Sequence, residues 1–240
     1  MTTYKLYVET GPKRRKTMVH ALDLLGCVAV GNTTDEALAA APQAIISYRR
    51  FLRDSGEQVD ASPRFTTRVA QMITEGQWLG NGSPYIVFEP DLKPVTAREI
   101  DTFLARLHAI YERVGSWAET QRDTQLDKPV TGARTNRAVL LHTLGAPGAY
   151  FSAALSGAPG FSRIASAAER GELPIAEAFR HVIERSDEVI RATTREQRAA
   201  VRERGGGRTY TLRKALRRAL EHGWEHLAEL SRRPGGPALP

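Results

Sequence analysis

The spacing of apolar residues changes once along this chain, and that change limits the possible folds more than any other feature. Tyr4-Lys5-Leu6-Tyr7-Val8-Glu9 alternates at period two, as a half-buried strand does. Gly11-Pro12-Lys13-Arg14 reads as a turn, Thr17 to Leu24 as a second strand and Cys27 to Val30 as a short third, punctuated by Gly26 and Gly31. Thr33 or Thr34, with Glu36 close behind, caps a helix that carries Ala37, Leu38, Ala41, Ala44, Ile45, Tyr48 and Leu52 on one stripe. Pro42 is expected to bend or split it. Residues 64–73 alternate weakly and fit a strand or a helix. Tyr85-Ile86-Val87-Phe88 reads as a strand after the loop Gly80 to Pro84, and Pro90 and Pro94 mark a domain exit.

From Thr96 onward the spacing becomes three and four. The first long helix, about Thr96 to Gln121, carries Ile100, Phe103, Leu104, Leu107, Ile110, Tyr111, Val114 and Trp117, with Thr96 and Glu99 at capping-box spacing. A second helix runs from about Arg134 to Leu155, with Gly145, Pro147 and Gly148 expected to interrupt it. A third starts at Pro174, a favoured first-turn residue. Gly205-Gly206-Gly207 reads as a flexible break, and a fourth helix follows Thr211 to about Arg232. The expected class is therefore α+β: a small β-β-β-α domain over residues 1–93, an all-α four-helix bundle over 94–233, and a disordered tail over 234–240.

Composition narrows the function classes. The lone Cys27 can form neither an internal disulfide nor a cysteine zinc site. No apolar run approaches the roughly 18 residues of a spanning helix, and the first residues hold no signal-peptide core, so the expectation is a cytoplasmic protein without a membrane partner. The net charge of +7 is uneven, with the excess concentrated between Arg195 and Arg218. A solvated arginine-rich surface accounts for it better than nucleic acid does, because stacking aromatics are not interleaved with the basic residues.

Two family resemblances sharpen this reading. Residues 4–56 resemble a HicB-like antitoxin domain through Leu22-Asp23-Leu24-Leu25-Gly26-Cys27, then Val28-Ala29-Val30-Gly31-Asn32-Thr33, then Asp35-Glu36-Ala37-Leu38. The resemblance implies a small, partly open sheet against one or two helices, in a double-stranded-RNA-binding-like arrangement, with RNA or a partner protein as its partner. Asn32 departs from the family's usual acidic residue or glycine, and no DNA-binding segment follows, so transcriptional repression is not implied. Residues 96–232 resemble the DinB-like superfamily, which includes the YfiT-like thiol-dependent enzymes, chiefly through the segment from Thr209 to His226. That resemblance implies a metal site built from one histidine of the second bundle helix and a His-x-x-x-His pair of the last, which map onto His142, His222 and His226. It also implies a low-molecular-weight thiol as co-substrate. Dimers are common in both families, so the resemblances allow a homodimer and leave the oligomeric state open.

The residues themselves suit this chemistry. His222 and His226, four apart on a helix, project from one face about a turn apart and can reach one ion. Ala215, Ala219 and Gly223 lie beside them, small enough to leave a hollow. Three imidazoles without a fourth protein ligand leave a coordination position open, and they suit zinc, nickel or iron. Arg213, Arg217 and Arg218 are candidates for holding an anionic cosubstrate, while Glu221 and Glu225 are expected to face outward as solvated charges. His20, His108 and His181 read as structural. The leading expectation is a metal-dependent, thiol-linked transferase or hydrolase acting on a small molecule. The alternative is a non-catalytic RNA- or protein-binding module with the bundle as scaffold.

Overall fold

The protein is described by a computed structural model covering residues 1–12, 15–60 and 64–240. The expected turn through Lys13 and Arg14 lies outside the described residues.

Among the described residues, β1 (Thr2–Thr10), β2 (Arg15–Ala21) and β3 (Val28–Thr33) form an antiparallel meander. The expected second strand ends early, because Leu22–Leu24 winds into a 3₁₀ turn. Gly26 then reverses the chain at φ +103°; a Cβ there would lie 2.2 Å from the Tyr48 hydroxyl oxygen, which donates to the Leu25 carbonyl. α1 (Thr34–Asp54) follows, capped by Thr33, whose hydroxyl accepts from the Glu36 amide while Glu36 accepts from the Asn32 amide. Pro42 does not split it. β4 (Phe65–Ile73) joins β1 in parallel and completes the order β3-β2-β1-β4, so residues 64–73 are strand. Tyr85 to Phe88 is not a strand. Ile86 and Phe88 are buried against Tyr7, which explains the alternation, but the backbone amides of Tyr85, Phe88 and Glu89 bond side chains of Ser83, Asp91 and Gln71 instead of a neighbouring strand.

The rest of the chain is α2 (Ala97–Glu119), α3 (Asp123–Leu126), α4 (Asn136–Leu155), α5 (Phe161–Glu169), α6 (Ile175–Arg191), α7 (Arg195–Ala199), the hairpin β5 (Val201–Arg204) and β6 (Arg208–Thr211), and α8 (Leu212–Ser231). The glycine triplet is the hairpin's turn, not a break between helices. The long helices α2, α4, α6 and α8 pack around one apolar core, with α2 against α6 and α8, and α4 against α8 and α6. α4 runs unbroken through Pro147. A proline there removes the amide that would bond the Thr143 carbonyl, and the Tyr111 hydroxyl donates to that carbonyl instead, at 3.1 Å. α4 is also long and apolar enough to cross a membrane by length and composition, which the run-length reading of the sequence missed. In the fold its Val139, Leu140, Leu144 and Phe151 lie in the bundle core. Residues 234–240, expected to be disordered, run back along α2: Trp117 Nε1 donates to the Gly235 carbonyl and Arg113 to that of Ala238.

The sheet and the bundle share a core. Tyr48 and Phe51 of α1 pack on Trp224 of α8 at ring separations of 4.8 and 5.0 Å. Beside this apolar contact lies a buried charge network. Arg217 grips Asp91 with Nε and Nη2, both at 2.8 Å, and reaches Glu221 with Nη1 at 2.9 Å. Arg218 Nη1 lies 2.7 Å from the same Glu221 carboxylate, and His20 Nδ1 of β2 lies 2.8 Å from its other oxygen. Arg217, Arg218, Glu221, Asp91 and His20 are each at most 2% exposed. Nearby, Glu9 accepts from the amides of Gly82 and Ser83. Glu221, Arg217 and Arg218 are therefore not solvated charges, because the flank of α8 that faces away from the bundle is covered by the sheet.

Candidate metal centre

α4 and α8 run antiparallel, as the contacts at their ends require. Arg233 beyond α8 bonds Asn136 at the start of α4, while Arg218 near the start of α8 stacks on Tyr150 far along α4. Thr135 caps α4 and Thr211 caps α8, each accepting from the amide three residues on. This register sets His142 against His222 and His226, with ring centroids 4.5 to 5.0 Å apart. One ligand nitrogen from each ring lies within 4.8 Å of the others. His222 Nε2 and His142 Nε2 are 3.0 Å apart. The expected hollow beside them is filled: a Cβ on Gly223 would lie 2.9 Å from the Tyr111 ring, so this glycine lets α8 approach α2.

The surroundings treat the three rings differently. His142 is exposed, His222 is 8% exposed, and the side chain of His226 is 12% exposed. Desolvation, partial at His142 and nearly complete at His222, then the proximity of His226, lowers the pKa of both, that of His222 well below its ordinary value. Their nitrogens are thus held in the neutral, ligating form. His226 Nδ1 lies 2.8 Å from Glu229, which in turn accepts from Arg233 at 2.6 Å. The bond from His226 is the largest cause holding the Glu229 carboxyl at about 2. A carboxylate behind an imidazole fixes its tautomer and turns Nε2 toward the shared centre. His222 Nδ1 is buried without a hydrogen-bond partner among the described residues.

This donor set fits a divalent ion. Two imidazole nitrogens on a tetrahedral ion stand about 3.3 Å apart, close to the 3.0 Å between His142 and His222. Two neutral imidazoles in direct contact can share only one proton, so an ion relieves that crowding as well. The protein is a mixed α+β chain whose His142, His222 and His226 cluster can hold a metal ion. No family model, curated protein or solved structure matches it.

The arginines are placed elsewhere. Arg213 donates to Glu99 and to the carbonyls of Lys93 and Pro94 at the start of α2. Arg217 is held by Asp91 and Glu221. Arg218, one turn before His222, is paired with Glu221, and its guanidinium carbon lies 5.9 Å from the Tyr150 ring centroid. None is a free surface cation. His108 faces Asp187, His181 is 41% exposed, and His20 belongs to the buried network, where its polar role went unread in the sequence. Glu229 was also missed, although its position three residues after His226 on one helix was the available signal.

Glu229→Gln removes the charge behind His226 and keeps the shape. Zinc affinity, measured by competition with a chromophoric chelator, is expected to weaken by about 10- to 100-fold. An unchanged affinity would remove Glu229 from the centre.

Proposed function

We propose that this chain is a metal-dependent protein of the DinB-like type, joined to a HicB-like N-terminal sheet. It acts as a transferase or hydrolase on a small molecule, with a low-molecular-weight thiol as co-substrate. The observation that carries this reading is the convergence of three imidazoles from two helices, with ligand atoms within 4.8 Å and a carboxylate behind one of them. Held there, a divalent zinc, nickel or iron ion supplies Lewis acidity and lowers the pKa of a water or thiol. The protein's own part is positional. Glu229 orients His226, burial keeps the His222 ring neutral so that one of its two nitrogens carries no proton, and the exposure of His142 leaves one side open to a small molecule.

Untagged protein loaded in turn with zinc, nickel and iron(II) is assayed for ester hydrolysis and for thiol transfer to an electrophile. The expected result is turnover above that of the free ion, abolished by a chelator and restored by adding the ion back. Rates equal to those of the free ion in every arm would sink the catalytic reading.

A further inference from the structure

A cleft of about 310 Å³ opens between the sheet and α8, lined by Val28 and Val30 of β3 and by Trp224, Glu225, His226 and Arg232 at α8. His226 is a member of the triad and also lines this cleft, together with its partner Glu229, so the cleft adjoins the triad at that ring. Val28 and Val30 are two residues apart on a strand and share one face. β3 is an edge strand, and Val30 is 53% exposed there, although an edge that meets water is better served by a polar side chain. Trp224 closes the floor, with its ring packed on Tyr48 and Phe51. The volume is at the small end of the roughly 300–1,000 Å³ of small-molecule sites. It suits a narrow chain better than a fused ring.

We propose that this cleft binds the aliphatic arm of a substrate whose polar head lies at the triad, so that β3 of the N-terminal sheet sets chain-length preference for the site on α8. The inference rests on reading the triad as a metal site. It assigns the sheet a part in substrate selection, and it gives the exposed Val30 a role that folding does not require.

The test uses full-length, untagged protein loaded with cobalt(II), whose visible spectrum reports ligands that enter its coordination sphere. Acetohydroxamate, butanohydroxamate and hexanohydroxamate are titrated in turn. Affinity is expected to rise about threefold per added methylene, less than full burial would give. Val30→Asp is expected to flatten that slope, while Val30→Leu keeps it. The position is half exposed, so both variants should fold, which circular dichroism checks. Failure to take up cobalt overturns the metal reading and this proposal with it. Uptake of cobalt and acetohydroxamate with affinity independent of chain length, or a slope that survives Val30→Asp, overturns the cleft alone.

Discussion

Purified without a histidine tag, the protein is expected to carry close to one equivalent of divalent metal, and His222→Ala/His226→Ala less than about a tenth of that. The double substitution leaves one imidazole, which cannot hold an ion against water. His142→Ala leaves the pair on α8, together with the Glu229 carboxylate that orients His226, and should give an intermediate loss. His181→Ala is the control, because that ring is 41% exposed and lies outside the cluster. Metal content by inductively coupled plasma mass spectrometry, with circular dichroism to confirm folding, gives the answer. Equal metal in wild type and double variant would place the ion elsewhere. No metal in wild type, even after incubation with zinc, nickel and iron, would make the three histidines structural.

The pair His222 and His226 was legible in the sequence because its pattern is local on one helix, while His142 was singled out through the resemblance to the DinB-like superfamily. His222 and His226 share a face by spacing alone, and the antiparallel packing of α4 supplies His142. The buried network was not legible, for a reason that lies in α8. An apolar stripe reveals the face a helix turns to an apolar partner. α8 has such a stripe toward the bundle, but its opposite flank meets the sheet through Arg217, Arg218 and Glu221, which read as a solvated face. Their partners come from far away, Asp91 in the segment before α2 and His20 on β2, and no helical period could reveal them. The prolines mislead for a related reason. Pro147 was expected to interrupt α4, yet Tyr111 from another helix satisfies the carbonyl it frees. In each case a distant group compensated for a local defect.

That network makes the second large prediction. Arg217→Met keeps the volume of the side chain and removes its charge, which leaves the Asp91 carboxylate, 1% exposed, without its cation and takes one of three partners from Glu221, which keeps Arg218 and His20. Removing one partner of a buried pair destabilises by about 3–5 kcal/mol, and for a chain of this length that corresponds to a fall in Tm of roughly 6–20 °C. Arg170→Ala is the contrast: it breaks an ion pair at 2.7 Å whose two side chains are each 58% exposed, and Tm should hardly move, because exposed pairs contribute about 0–1 kcal/mol. Geometry alone would rank the two pairs together, since their distances are nearly equal; burial separates them. The network also sets the direction of acid sensitivity. Burial alone would raise the pKa of Glu221, but Arg217, His20 and Arg218 outweigh it and hold the carboxyl well below its ordinary value. A depressed carboxyl contributes stability that is fully present above its unfolded pKa and is lost as pH falls through the folded one. Wild type should therefore lose Tm only gradually below about pH 4.5. Arg217→Met, in which the chief cause of the depression is gone, should start from a lower Tm and lose less of it over the same acid range. A differential scanning calorimetry series from pH 7 to pH 3 reads both effects. A Tm for Arg217→Met within 2 °C of wild type at pH 7, about the shift allowed to an exposed pair, would mean that the Arg217 pairs contribute no more than a surface ion pair and that the joint between the sheet and α8 rests on its other contacts, Tyr48 and Phe51 on Trp224 among them.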